Sequence, residues 1–193
     1  MARQKEFNPV QVVEKAMYLF WEKGYEGASV EDLVQCTGLG RGSLYATFGD
    51  KRSLYLAALD HYEQQNRERR KIFREKTGPL LEMLKAFFQE SIAEALEADT
   101  HRGCLMVNTA LEVAPHDPEI AGKVKSAFRE VEELFYYMLI QAQASGELSW
   151  EADPHQLARF LLNTHLGIRT LARANPDRKM LQEIATTALS LFH

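Results

Sequence analysis

A chain of 193 residues with 46% hydrophobic and 26% charged residues is ordered and globular, with material for one or two domains. No apolar run reaches the roughly 18 residues a membrane-crossing helix needs, and the opening MARQKEFNPV lacks a secretion signal's apolar core, so a soluble, cytoplasmic protein is expected. Two distant cysteines, Cys36 and Cys104, exclude a disulfide framework, and a net charge of −4 suits a nucleic-acid partner only if Arg3, Lys5, Arg41 and Lys51 share one face with the acids elsewhere.

In chain order, Asn8-Pro9 opens a first helix whose apolar face is Val12, Val13, Ala16, Met17, Leu19 and Phe20 and which stops at Gly24. Arg3 and Lys5 ahead of it suit either a minor groove and phosphates or a solvated tail. Ser29 then caps a second helix, with Glu31 and Asp32 at the positive end of its dipole and Leu33, Val34 and Cys36 as a short apolar stripe. Thr37-Gly38-Leu39-Gly40 breaks it, and a third helix follows over Arg41–Phe48. Leu44 and Phe48 stand four apart and point inward, which turns Arg41, Gly42, Ser43, Tyr45, Ala46 and Thr47 outward. Two short helices around a tight Gly-containing turn form a helix-turn-helix, its second helix offered to a DNA major groove.

Asp50 caps a long fourth helix running to about Lys76, with Leu54, Ala57, Ala58 and Tyr62 inside. Its basic run Asn66–Lys71 reads as a nucleic-acid contact or, given Glu63, Glu68 and Glu75, as a salt-bridged face. After Thr77-Gly78-Pro79 come a strongly apolar fifth helix (Leu80 to Leu96), a short sixth from Cys104 closed by Pro115, and a seventh from Asp117-Pro118 to Gly146. An eighth spans Pro154–Ala174 and a ninth covers Asp177–Phe192. No segment alternates apolar and polar with period two, so the chain is all-α with about nine helices.

The run Gly24-Tyr25-x-Gly27-Ala28-Ser29-Val30, then Leu39-Gly40-Arg41-Gly42-Ser43-Leu44-Tyr45 and Phe48-x-x-Lys51, resembles the N-terminal domain of the TetR family of bacterial transcription repressors. The likeness covers about residues 8 to 55. It departs at Gly40, where that family usually has a capping Ser or Thr, and at Ala46, often a phosphate-touching His. The resemblance implies a three-helix DNA-binding domain over residues 1–50, and a larger helical ligand-sensing and dimerisation domain over 51–193. Ser29, Lys51 and the Tyr45 hydroxyl are expected on phosphates, Arg41 and Ser43 at base edges, Gly42 where backbone approaches DNA, and Thr47 among the contacts. It also implies a homodimer through the last two helices, on double-stranded palindromic operator DNA, and a small-molecule effector.

Catalysis has little support: there is no Gly-rich phosphate loop after a strand, no His pair at helical spacing and no nucleophile elbow. No cofactor is expected. His101, Cys104, His116 and Asp117 can be brought around a metal, but nothing in the sequence requires one. Asn108, Thr109, Glu112 and His165 are polar groups on apolar helices, and Met83, Phe87, Met106, Tyr136, Tyr137 and Phe160 can surround them. That set reads as an effector cavity or as a core with satisfied polar groups. Cys104, after Arg102-Gly103 at a helix start, is either a thiolate sensor or a buried core residue. Two functions follow: a repressor released by a small hydrophobic effector or by Cys104 modification, or a structural, nucleoid-type DNA-binding protein on the same scaffold.

Overall fold

The computed structural model describes residues 7–96 and 102–192. These form nine α-helices and two short 3-10 turns, with no strand among the described residues. The first three are α1 (Pro9–Lys23), α2 (Val30–Thr37) and α3 (Arg41–Phe48), followed by the long α4 (Lys51–Glu75). Then come α5 (Leu80–Leu96), α6 (Leu105–Glu112), α7 (Pro118–Ser145), α8 (Pro154–Ala174) and α9 (Arg178–Leu189). The ninth helix is shorter than its sequence pattern, because Ser190–Phe192 tightens into a 3-10 turn. Among the described residues no helix is long and apolar enough to cross a membrane.

The helix starts follow from their caps. Asn8, Asp50, Asp117, Asp153 and Asp177 each accept a backbone N–H at the first turn of α1, α4, α7, α8 and α9. Ser29 and Asp32 form a reciprocal capping box on α2, and Lys23 Nζ holds Asp32 at 2.7 Å. In contrast, α3, behind Gly40, and α6, behind Cys104, begin without a side-chain cap.

The apolar residues gather into two cores. The first joins α1–α4 to α6 and the early part of α7, with Met17, Phe20, Leu33, Leu44, Leu54, Tyr55, Leu105 and Ile120 buried. The second joins the end of α4 to α5, the later part of α7, α8 and α9, around Phe73, Leu84, Phe88, Phe135, Leu161, Ile168 and Leu181. The helix-turn-helix is therefore packed on the body and not tethered to it. Trp21 Nε1 donates to the Arg102 carbonyl at 3.0 Å, and the Tyr55 and Thr109 hydroxyls bond at 2.7 Å inside the first core. Arg52 ties the start of α4 to the start of α7 through Asp117 (2.6 Å) and Glu119 (2.7 Å).

Candidate nucleic-acid interface and internal pocket

The turn between α2 and α3 is made at Gly38, left-handed at φ 74°. It stands α3 off the body on one buried residue, Leu44, with Phe48 half-buried beside it. Arg41, Gly42, Ser43, Ala46 and Thr47 are exposed, Tyr45 is half-buried, and α3 carries no acidic side chain. The Arg41 guanidinium lies 5.8 Å from the Tyr45 ring centre, and Lys51 Nζ sits 4.6 Å over the Tyr25 ring. No atom stands within 4 Å of where a Cβ at Gly42 would be, so that surface is open to a partner's backbone. Not every polar group on this face is free. The Ser29 hydroxyl is engaged in the capping box with Asp32, and the Thr47 hydroxyl donates to the Ser43 carbonyl at 2.8 Å.

Several acids are paired with the basic run of α4 in the body. Arg67 and Arg70 both reach Glu130 of α7, Arg70 also holds Glu63, and Arg69 pairs with Glu94 of α5. The basic run of α4 is thus salt-bridged through Arg67, Arg69 and Arg70, with Arg67 and Lys71 exposed. Arg3 and Lys5 lie outside the described residues.

Where the two cores meet, a cavity of about 80 Å³ opens between α4, α5, the start of α6, α7 and α8. Its lining includes the apolar Phe73, Phe87, Met106, Phe128 and Val131 and the charged Glu63, Arg69, Arg70, Glu94 and Arg169. Arg169 is 5% exposed and donates to the Ser91 and Gly103 carbonyls at 3.2 and 3.0 Å and to Glu94 at 3.2 Å. Burial works against its charge, but Tyr62, Cys104 and Glu94 outweigh it and leave its pKa above the ordinary value. Burial also raises the Glu63 carboxyl, even beside Arg70, and raises the Tyr62 hydroxyl. His165, whose Nδ1 is 3.1 Å from the Ser91 hydroxyl, is lowered to about 3 by burial and by Arg169 and Arg70, so it is neutral at pH 7.

Two family models match the sequence: "Bacterial regulatory proteins, tetR family" over residues 12–58, and "Tetracyclin repressor-like, C-terminal domain" over residues 81–188. The chain belongs to the TetR family. It is 34% identical over 193 residues to the uncharacterized HTH-type transcriptional regulator YezE of Bacillus subtilis, which it covers end to end (100% of each chain). It is also 34% identical to the HTH-type transcriptional repressor ComR of Escherichia coli, over 98% of this chain and 91% of that one. Among solved structures it superposes on a cysteine mutant of the TetR-family regulator CifR, bound to 26-bp operator DNA, with a TM-score of 0.88, 28% identity and 98% of both chains covered.

In this TetR-family chain, four of the eleven sequence-predicted ligand residues line the cavity: Phe87, Cys104, Met106 and His165. The other seven have different surroundings. Thr109 is bonded to Tyr55 and to the Leu105 carbonyl, and Asn108 donates to the Arg102 carbonyl. Glu112 accepts from the backbone of Tyr25 and Glu26. Met83 packs on the second core, Tyr136 stacks on His155 with ring centres 4.2 Å apart, and Arg74 lies 5.0 Å over Tyr137. Phe160 is 39% exposed on the outer face of α8. Sequence reasoning missed Glu63, Arg69, Ser91, Glu94 and Arg169 as lining residues.

Cys104 is buried, its sulfur 3.6 Å from the Tyr62 hydroxyl that donates to it, and it borders the cavity. Asp117 is occupied by its cap and by Arg52, His101 lies outside the described residues, and no group able to hold a metal occurs among the described residues. The outer faces of α8 and α9 and the turn after them present Phe160, Leu171, Ile184 and Leu191 around an open depression.

Proposed function

We propose that this chain is a homodimeric transcriptional repressor. Two copies of α3 read a palindromic operator, and filling of the internal cavity, or modification of Cys104 at its edge, ends binding. Residues 1–50, together with Lys51 at the start of α4, supply the DNA contacts, through Ser29, Arg41, Gly42, Ser43, Tyr45, Thr47 and Lys51; the rest of 51–193 senses and dimerises. The observation that carries this reading is the pairing of an exposed, acid-free α3 with a cavity that touches α4. That helix starts directly behind α3 and forms part of the cavity wall from Tyr62 to Phe73. The name of ComR as a repressor and the operator DNA bound to CifR support the same reading.

An effector shifts an equilibrium only by its difference in affinity for two states. A cavity at the seam between two cores is where such a difference arises, because filling it moves one core against the other. The apolar outer stripe of α8 and α9 supports the homodimer, which closes by two-fold symmetry. The protein acts in the cytoplasm, where operator DNA is. The test is fluorescence anisotropy with DNA from upstream of the protein's own gene. Salt-dependent, sequence-preferring binding that a small hydrophobic molecule or a thiol reagent reverses is expected. Binding without preference and without reversal points instead to a structural DNA-binding protein.

A further inference from the structure

The effector cavity holds, among its own side chains, a template for the ligand's head group. The Glu94 carboxylate bridges two guanidinium groups: one oxygen pairs with Arg69 Nη1 at the rim, the other with Arg169 Nη1 at 3.2 Å in the interior. Arg169 does not need Glu94 to stay in place, because the Ser91 and Gly103 carbonyls hold it from behind. Gly103 is itself fixed against α8: at φ 69° a Cβ there would meet the Arg169 carbonyl oxygen at 3.0 Å. Glu94 is the more mobile partner by position, with a side chain 27% exposed against 6% for Arg169. It stands two residues before Leu96, the last residue of α5, with its side chain partly open to solvent.

The geometry points to a small organic monocarboxylate as the class of effector. Its carboxylate replaces that of Glu94 between Arg69 and Arg169, and its apolar body lies on Phe87, Met106, Phe128 and Val131. This rests on the cavity being the effector site. The charges favour replacement over addition: Arg69, Arg70 and Arg169 already face Glu63, Glu90 and Glu94 in the same lining, so a further anion enters only as an acid leaves. Glu63 is the poorer candidate to leave, since its side chain is 12% exposed and locked to Arg70. One guanidinium on each of its two oxygens gives a carboxylate charge-assisted hydrogen bonds that a neutral amide does not match. Of the lining acids, Glu63 and Glu94 are each paired with an arginine, and Glu90 is exposed to solvent.

The experiment is calorimetric titration of the full chain with benzoate, benzamide and benzylamine, in wild type, Glu94→Gln and Arg69→Met. Benzoate should bind at least about tenfold more tightly than benzamide or benzylamine. Glu94→Gln removes the competing anion, so it should tighten benzoate about tenfold and leave benzamide unchanged; a merely structural Glu94 would give no gain. Arg69→Met lies at the rim, where loss of fold is not expected, and should bring benzoate down to the level of benzamide. Equal binding of acid and amide, preference for the amine, no gain in Glu94→Gln, or no binding of any probe each overturns the assignment. Anisotropy on operator DNA with the same samples separates the two readings. Acid binding with this charge dependence but no DNA release removes the effector role and leaves the carboxylate site. Release by another molecule, with no acid preference, removes the carboxylate site and leaves the effector role.

Discussion

The carboxylate of Glu112, in the last turn of α6, stands in the space that a side chain at Gly24 would need. A Cβ on Gly24 would lie 2.8 Å from Oε2 and 2.9 Å from Oε1. The same two oxygens accept the backbone N–H groups of Tyr25 at 3.0 Å and Glu26 at 2.9 Å. α6 thus grips the turn between α1 and α2 with its last residue, while its first turn, at Cys104 and Met106, borders the cavity. One eight-residue helix joins the cavity to the helix-turn-helix over a short path, alongside the longer one through α4.

Gly24→Ala tests that joint. It must strain a backbone at φ 79° and displace the carboxylate, which together should cost about 1–3 kcal/mol of stability. Glu112→Ala leaves two N–H groups to water and should cost about 1 kcal/mol. Because the two changes act on one contact, thermal denaturation of the double variant should show less than the sum of the losses. Additive losses would mean that the two changes act independently and not on one contact.

On the DNA face, Arg41→Ala should relax sequence preference by roughly 1–3 kcal/mol at the positions it reads, with little change on random DNA. Lys51→Ala should weaken operator and random DNA alike and lower the salt slope. Anisotropy titrations on both DNAs over a range of salt decide it. Variants indistinguishable from wild type would remove both residues from the interface.

Much of this arrangement was legible in the sequence, for local reasons. Helix starts were announced by Asn8, Ser29, Asp50, Asp117, Asp153 and Asp177, whose side chains reach only two or three residues along the chain. The inward Leu44 follows from helical spacing alone. The pairs that Glu94 makes with Arg69 and Arg169 were not legible, because they connect residues far apart in sequence. Arg169 meets Glu94 75 residues away, and Arg70 meets Glu130 60 residues away. An arginine on an amphipathic helix looks the same in sequence whether it faces water or a buried acid. The grip of Glu112 on the α1–α2 turn was not legible for a related reason: its partners are backbone N–H groups, which leave no trace in residue identity.

His165 gives a pH signature. Its folded-state pKa is lowered to about 3, against the usual 6.5, so the unfolded chain takes up its proton first as the pH falls. Stability should therefore fall with decreasing pH from about 6.5 towards 3, by up to about 1.4 kcal/mol per pH unit from this group. Glu63, whose folded carboxyl is raised by burial, acts in the opposite direction just above its ordinary range, so the two are separated by variants. Denaturant titrations at pH 7 and pH 5 should show a smaller loss for His165→Gln than for wild type. An identical loss would place the acid sensitivity elsewhere.

Assembly is tested on the outer stripe of α8 and α9. Leu171 is 38% exposed and Leu191 60%, unusual for leucines on a face that also carries Ile184 and Phe160. Leu171→Glu should turn the dimer into monomers at micromolar concentration in sedimentation. It should weaken operator binding steeply while leaving the fold intact, because each α3 reads only a half-site. A wild type that sediments as a monomer with operator binding intact would rule out both the interface and the two-fold site.

The two cysteines separate a sensor from a bystander. Cys104 borders the cavity and accepts a hydrogen bond from Tyr62, so alkylation or oxidation there places new bulk against the hydroxyl and against Arg169 behind it. Cys36 is half-buried in α2, its sulfur against the Leu33 carbonyl at 3.5 Å, and burial raises its thiol pKa, which disfavours the reactive thiolate. N-ethylmaleimide should therefore loosen the operator complex of wild type and of Cys36→Ser alike. Cys104→Ser, which keeps an acceptor for Tyr62, should be insensitive to the reagent and still release DNA when a reversible ligand fills the cavity. Mass spectrometry locates the adduct, and anisotropy reads the DNA. A reagent response that survives in Cys104→Ser and disappears in Cys36→Ser would move the sensor to α2, next to the recognition helix and away from the cavity.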